Sequence, residues 1–268
     1  MLLANKVAIV TGAAGGMGKA ISLRFAAEGC DVAAADLNLA GTNETLNEVK
    51  KLGRDGLALQ VDITKSAQIK DMVEKVIEKY GRIDILVNAA GTLFAFADLN
   101  NMDHKESIGN ISEDEWDKLI EVNLKGCFLC CKYAAPYMIE KRYGKIINFS
   151  TSGAIHPPAV APHYNSAKAG VLGLTYDMAC ELGPHNINVN AILPGPIRTS
   201  FYDRIMESLS DEEKEAMFKM MCKDAPLQRC GTPEDIAGVA LFFASELSSY
   251  VTGVPLLVSG GIPLMPRL

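Results

Sequence analysis

A short apolar run, Lys6-Val-Ala-Ile-Val10, leads directly into Thr11-Gly-Ala-Ala-Gly-Gly-Met-Gly18, and a helical pattern follows from about Met17 to Glu28. Continuous apolarity over so few residues is the signature of a strand buried on both faces of a parallel sheet. Glycines at a strand-to-helix junction let the backbone turn tightly and approach a ligand, while the helix N-terminus offers free N–H groups to a pyrophosphate. Elsewhere such a cluster could be a simple turn. Between the first strand and the first helix it predicts a dinucleotide-binding α/β fold.

The rest of the chain keeps this alternation. Asp31-Val-Ala-Ala-Ala-Asp36, Leu57-Ala-Leu-Gln-Val61, Ile83-Asp-Ile-Leu-Val87, Lys145-Ile-Ile-Asn-Phe149 and Ile187-Asn-Val-Asn-Ala-Ile192 read as further strands. Gly253 to Val258 reads as a last one, whose Pro255 predicts a sheet edge. Helical stretches fall between them: Ser66 to Tyr80, a segment from Ser112-Glu-Asp-Glu115 through Asn123 toward Arg142, one carrying Tyr164 and Lys168 to about Leu182, and one opening at Thr232-Pro-Glu-Asp235. No Pro/Gly/Ser-rich linker interrupts them. The pattern predicts a single α/β domain over residues 1–268, a doubly wound parallel sheet of about seven strands with helices on both faces.

The formal charge of −6 and pI near 5.3 argue against nucleic acid or an anionic membrane surface as partner. No run approaches the ~18 apolar residues of a membrane span, and MLLANKVAIV lacks a charged region before its apolar stretch, so the expected location is the cytoplasm. Seven cysteines, an odd number, are scattered without the spacing of a disulfide framework. Cys127, Cys130 and Cys131 include a C-x-x-C spacing but lie in the apolar LKGCFLCCKYAAPYM with no second pair or nearby histidine. They read as buried helix thiols, and no metal is expected.

Asp36 ends the second strand 18 residues after Gly18, where a dinucleotide fold places the carboxylate that accepts from ribose hydroxyls. No Arg or Lys follows closely to offset a 2′-phosphate, which favours NAD; the plainer reading is that Asp36 caps the following loop. Farther on, Tyr164 and Lys168 are four apart and share one face if their segment is helical. A nearby ammonium lowers the pKa of a phenol from about 10 and makes it a usable general acid or base. Ser150, Thr151 and Ser152, arriving from a strand end, are candidates to hold a substrate oxygen beside it. The residues from Thr92 to Ile111 show no strong periodicity and read as a long loop. The stretch 198–224 looks helical but poorly anchored. Its Met206, Met217, Met220 and Met221, with Phe201, Tyr202 and Phe218, suggest a lid over a bulky, largely apolar substrate, the alternatives being an oligomer contact or plain core.

In order and spacing these residues resemble the short-chain dehydrogenase/reductase family over almost the whole chain. Its T-G-x-x-x-G-x-G motif is Thr11 to Gly18, its Y-x-x-x-K is Tyr164 and Lys168, and its P-G is Pro194-Gly195. Its N-N-A-G is similar to Asn88-Ala89-Ala90-Gly91, differing at the second position, and its asparagine matches Asn123. The resemblance implies a Rossmann-type fold holding NAD through Gly12, Gly16, Met17, Gly18, Asp36, Asp62, Ile63, Asn88, Ala89, Gly91, Tyr164, Lys168, Pro194, Gly195, Ile197 and Thr199. It implies that Tyr164 exchanges a proton with an alcohol, that Lys168 lowers its pKa and holds the nicotinamide ribose, and that Asn123 holds a relay water. It also implies a homotetramer, for which the apolar run Leu124 to Met138 supplies a physical motive.

Two departures stand out. The family's serine lies 13 residues before the tyrosine, which is Thr151 here, flanked by Ser150 and Ser152; V-D-G-G reads Val258-Ser259-Gly260-Gly261. A threonine hydroxyl keeps the donor and acceptor capacity of serine. The expected activity is hydride transfer between NAD(H) and a secondary alcohol or ketone, or a hydroxyacyl compound. The alternative is a catalytically weak nucleotide-binding subunit supporting an assembly.

Overall fold

The computed structural model describes residues 1–93, 108–157, 161–199, 202, 206 and 209–262. Seven parallel strands form one sheet in the order β3-β2-β1-β4-β5-β6-β7: β1 (Val7–Thr11), β2 (Asp31–Asp36), β3 (Gly56–Gln60), β4 (Ile85–Asn88), β5 (Gly144–Phe149), β6 (Ile187–Pro194) and β7 (Pro255–Val258). The order reverses between β1 and β4. At such a switch point the loops leaving neighbouring strands diverge to opposite faces and open a crevice at the carboxyl ends. Register aligns Thr11, Asn88 and Asn148 in one row just below that crevice.

Alternation of side chains along the strands divides the core between the faces. Val7 and Ile9 point to one side, with α3 (Ser66–Tyr80), α5 (Gly126–Lys141) and α6 (Pro162–Leu182) packed over them. Ala8 and Val10 point to the other, covered by α1 (Gly16–Ala27), α2 (Leu39–Lys51) and α8 (Pro233–Ala244). Pro255 lies on edge strand β7, where its missing N–H removes no bond from a central ladder. Among the described residues no helix is long and apolar enough to cross a membrane.

Several boundaries shift by one or two residues, and two differences from expectation have a structural cause. β4 begins at Ile85, because the Asp84 carboxylate accepts from the Val7 N–H and pairs with Arg82 and Lys141. The helix after Ser112 is not continuous either: α4 (Glu113–Ile120), capped reciprocally by Ser112 and Glu115, passes through one π-helical turn, Glu121–Lys125, into α5. Cys127, Cys130 and Cys131 are buried on α5, whose apolar run turns mostly inward and leaves Phe128 exposed.

The stretch after Arg198 is better anchored than its sequence suggests. Helix α7 (Asp211–Met221) is capped by Ser210 and Glu213, and Arg198 holds Glu215 with two bonds of 2.7 and 2.9 Å. The same guanidinium stacks on Phe218 at 4.7 Å, and Tyr202 meets that ring edge-on at 5.6 Å. Met206, Phe218, Cys222, Ala225 and Cys230 close a small core of their own. Met220, however, stays exposed. Phe201, and residues 94–107 of the long loop, lie outside the described residues.

One disulfide forms despite the scattered spacing: Cys222 at the end of α7 bonds Cys230, with Cα atoms 5.5 Å apart. Closing so short a loop stabilises the native state by about 2–3 kcal/mol in the chain-entropy account. The Cys222→Ala/Cys230→Ala double variant is expected to exchange amide hydrogens faster in α7 before anywhere else. Unchanged exchange in α7 would show that the bridge does not hold this helix.

Candidate active site

The crevice is built first from backbone. Gly12 has φ +72°, and a Cβ there would sit 2.9 Å from the Ala90 nitrogen; one on Gly18 would lie 2.1 Å from the Gly12 carbonyl oxygen. Neither position tolerates a side chain, so the loop stays flat against the sheet end. Helix α1 starts at Gly16 with no side-chain cap and no acid in its first turn, which leaves the N–H groups around Gly16, Met17 and Gly18 without a side-chain partner. Thr199 faces Gly16: a Cβ on that glycine would lie 3.6 Å from the threonine Cβ. A groove of about 440 Å3 runs beside this point, bounded by Arg198, Phe218 and Pro233, so the α7 segment overhangs the glycine loop.

Asp36 ties down the loop after it, as the plainer reading has it. Its two carboxylate oxygens accept from the Ala14 N–H at 3.2 Å and the Asn38 N–H at 3.0 Å, tying the end of β2 to the glycine loop while one side remains open to solvent. Asp62 closes its own turn by accepting from the Thr64 N–H and hydroxyl. Ile63 lies against Gly126, where a Cβ would come within 2.9 Å of it. On the switch-point strand, the Ala90 N–H donates to Thr11 Oγ1, placing Ala89 and Gly91 at the crevice. Gly91 is a close-approach glycine: a Cβ there would stand 2.8 Å from Asn123 Oδ1 and 3.2 Å from Lys168 Nζ. Those three residues therefore meet at one point.

The three hydroxyls are placed differently. Ser150 is buried, and its hydroxyl donates to the Lys168 carbonyl at 2.8 Å. Thr151 stands beside the Tyr164 phenol, close enough to act on its pKa, and its hydroxyl accepts from the Gly153 N–H at 3.4 Å. Ser152 opens a short 3-10 turn, Ser152–Ala154. Lys168 Nζ donates to the Phe149 carbonyl at 3.0 Å and lies 5.8 Å from the centre of the Tyr164 ring. Asn123 sits in the π turn and spends its carboxamide on main chain: Nδ2 donates to the Thr92 and Leu119 carbonyls, and Oδ1 accepts from the Thr92 N–H. Its side chain clamps the loop after β4.

The electrostatics correct one expectation. Burial raises the Tyr164 phenol well above its ordinary value, Tyr202 adds to this, and the Thr151 hydroxyl pulls the other way. Burial also lowers Lys168 to about 8. The Lys168 ammonium donates to the Phe149 carbonyl and is not among the groups acting on the phenol, so desolvation prevails.

At the carboxyl end of the sheet, Pro194 closes β6, and the Gly195 N–H donates to the Val258 carbonyl with Ser259 too near for any side chain on Gly195. Ile197 forms a bridge to Gly231 and its side chain joins the core. Asn88 Nδ2 donates to Asn148 Oδ1 at 2.9 Å and to the Cys131 sulfur. Asn88 and Ile197 thus spend their side chains inside the protein. The π turn and the partners of Asn88 had not been anticipated. The first has no local signal in Glu-Val-Asn-Leu-Lys; the second is signalled by Asn148 and Thr175, polar residues at core positions of an apolar strand and an apolar helix.

A glycine-lined strand-to-helix crevice, with a buried lysine and a threonine–tyrosine pair on its rim, defines an oxidoreductase site of the nicotinamide dinucleotide type. A family model described as enoyl-(acyl carrier protein) reductase matches residues 12–263. The chain is 39% identical to the 3-oxoacyl-(acyl-carrier-protein) reductase FabG of Thermotoga maritima, covering 98% of this chain and 99% of that one. It is 38% identical to the hydroxy(phenyl)methylsuccinyl-CoA dehydrogenase subunit BbsD of Thauera aromatica, covering 97% and 98%. Among solved structures, levodione reductase superposes with a TM-score of 0.88 at 29% identity, covering 97% of this chain and 98% of that one. A short-chain type dehydrogenase/reductase from Mycobacterium marinum gives 0.84 at 32%, covering 97% and 96%. The chain belongs to the short-chain dehydrogenase/reductase family.

Proposed function

We propose that this enzyme transfers hydride between NAD(H) and the secondary alcohol or ketone of a bulky, largely apolar substrate, a hydroxyacyl or oxoacyl compound being the leading class. The observation that carries the reading is the placing of the Thr151 hydroxyl beside the Tyr164 phenol at the crevice rim, one helical turn from Lys168. The glycine cradle fits the cofactor, since Gly12 and Gly18 exclude side chains where a pyrophosphate approaches the α1 N-terminus. Gly12, Gly16, Met17 and Gly18 would hold the pyrophosphate, Asp36 the adenosine ribose, and Asp62 with Ile63 the adenine side. Asn88, Ala89, Gly91, Pro194, Gly195 and Ile197 would contribute backbone around the nicotinamide, and Thr199 a hydroxyl. The nicotinamide, when bound, supplies or accepts the hydride.

The chain's own residues handle the proton. Because burial raises the Tyr164 phenol, it is protonated across the neutral range, the form that donates to an oxygen gaining negative charge during ketone reduction. Thr151, beside that phenol, would hold the same oxygen in line. Lys168 is fixed by Phe149 and reaches Gly91, where it faces the ribose position, and Asn123 braces the loop that carries Gly91. Tyr202, close enough to act on Tyr164, supports an aromatic wall for the substrate. The hydroxyl retained at Thr151 weighs against a catalytically weak subunit. Exposed Phe128, with Trp116 of α4, supports assembly as a homotetramer, to be checked by sedimentation.

The test is a panel of ketones, 3-oxoacyl thioesters and alcohols assayed with NAD(H) and NADP(H). NAD(H) is expected to be preferred by about tenfold or more, because a 2′-phosphate would meet the Asp36 carboxylate, and one like-charge contact near a surface costs roughly 1–4 kcal/mol. Asp36→Ala should narrow the preference. Equal efficiency of the unmodified enzyme with both cofactors would sink the NAD assignment, and faster turnover of a small sugar alcohol than of any larger apolar one would sink the substrate class.

A further inference from the structure

Directly beneath the crevice lies a fully enclosed polar layer. Asn148 is its hub: Oδ1 accepts from Asn88 Nδ2 at 2.9 Å and from the Cys127 thiol at 3.3 Å, and Nδ2 donates to Thr175 Oγ1 at 2.9 Å. Thr175 in turn donates to the Val171 carbonyl at 2.7 Å. Asn148 and Thr175 are both completely buried. Each partner comes from an element that carries part of the site. Asn88 ends β4 before Gly91, Cys127 follows Asn123 by four residues, Asn148 precedes Thr151 on β5, and Thr175 lies on the helix that bears Tyr164 and Lys168.

Helix α6 is therefore fixed to β5 at two separated points. Near its start, Lys168 Nζ donates to the Phe149 carbonyl and Ser150 donates to the Lys168 carbonyl. Seven residues later the Thr175–Asn148 bond supplies the second attachment, about 10.5 Å along the axis at the usual rise. The remaining contacts of α6 with the sheet are apolar, through residues such as Val171 and Leu182, and such contacts have no direction and resist sliding weakly. With one attachment a rod pivots; with two it does not. Tyr164 lies on the far side of the Lys168 attachment, so a 1 Å displacement at Thr175 would move Tyr164 by roughly 0.6 Å relative to Thr151.

We propose that Asn148 and Thr175 are positioning residues, which fix the tilt of α6 and thereby the placement of the Tyr164 phenol against Thr151. The inference rests on the catalytic role proposed above for Tyr164. It assigns function to two side chains far too enclosed to touch substrate or cofactor. Misplacement by 1 Å can cost ~10² in rate, so a loss of about tenfold in kcat follows from the smaller shift.

The decisive variant is Thr175→Val, which keeps the shape and removes the hydroxyl; Thr175→Ser restores it, and Thr175→Ala, which raises helix propensity, serves if the valine protein does not fold. Two readouts are taken on each. In steady-state kinetics, kcat is expected to fall about tenfold in Thr175→Val or Thr175→Ala, with the KM for NADH within about twofold, and to recover in Thr175→Ser. By hydrogen exchange, amides from Tyr164 to Lys168 should exchange faster in the same variants although they lie two turns from the substitution. If faster exchange is confined to residues near position 175, or kcat stays within about twofold while only the melting temperature drops, the two residues are structural alone and the proposal is overturned. The exchange pattern needs no substrate. A failure of the activity panel would therefore strike the proposed function and leave this inference to be decided by exchange.

Discussion

Lys168→Met is expected to abolish turnover and to raise the melting temperature of the cofactor-free protein. The lysine is buried without a carboxylate partner, its one described bond goes to the Phe149 carbonyl, and burial lowers its pKa from 10.5 to about 8. At pH 7 it is charged in both the folded and unfolded states, so the folded state carries the full desolvation penalty. A displacement of this size corresponds to roughly 3 kcal/mol, of which the lost hydrogen bond returns about 1. Methionine fills a similar volume without the charge. A net gain of about 2 kcal/mol should appear as a rise of some 4–8 °C. Between pH 8 and 10.5 the unfolded chain binds more protons at this position than the folded one, so wild-type stability from this source rises with pH and the advantage of the variant shrinks. Thermal unfolding at pH 7 and pH 10, with turnover measured alongside, checks both limbs. A methionine variant less stable than wild type at pH 7, or a gap that does not narrow at pH 10, would rule out this account of Lys168.

Thr151→Ala should lose ~10²–10³ in kcat, the usual effect of removing one oriented hydrogen bond to an oxygen that gains charge. Thr151→Ser should remain active because it keeps the hydroxyl beside Tyr164. Tyr164→Phe should be worse than Thr151→Ala, since it removes the proton carrier. The neighbours provide the controls. Ser150 is committed to the Lys168 carbonyl, so Ser150→Ala should chiefly lower stability, by about 1 kcal/mol. Near-normal turnover of Thr151→Ala alongside an inactive Ser152→Ala would move the substrate oxygen to the other hydroxyl and overturn the assignment.

What could be read in advance was what depends on neighbours in sequence. Short apolar runs, the glycine junction, the Thr232 cap with Pro233 behind it, and Pro255 on an edge strand all follow from local chemistry. Tyr164 and Lys168 share a helix face for the same reason. The departures arise where tertiary surroundings decide. Asp84 reads as a strand residue until Arg82 and Lys141 converge on it, and the phenol next to a lysine reads as acidified until burial is counted. No local rule places an extra residue in the turn around Asn123 or pairs Cys222 with Cys230. Three adjacent hydroxyls at 150, 151 and 152 look alike in a sequence, and the turn from β5 into the 3-10 segment is what aims them differently.

The segment after β6 is closed on itself to an unusual degree. Arg198 grips Glu215 near its beginning, Arg229 grips Asp235 beyond its end, the Cys222–Cys230 bridge draws its tail together, and the side chains between share a private core. Such a segment behaves as a cassette. Among the described residues its own side chains supply most of what holds it together, so its inner lining could be exchanged for that of a relative with little disturbance to the sheet. On the function proposed above, cofactor use and chemistry would be written in the scaffold, while substrate choice would be carried by a replaceable part.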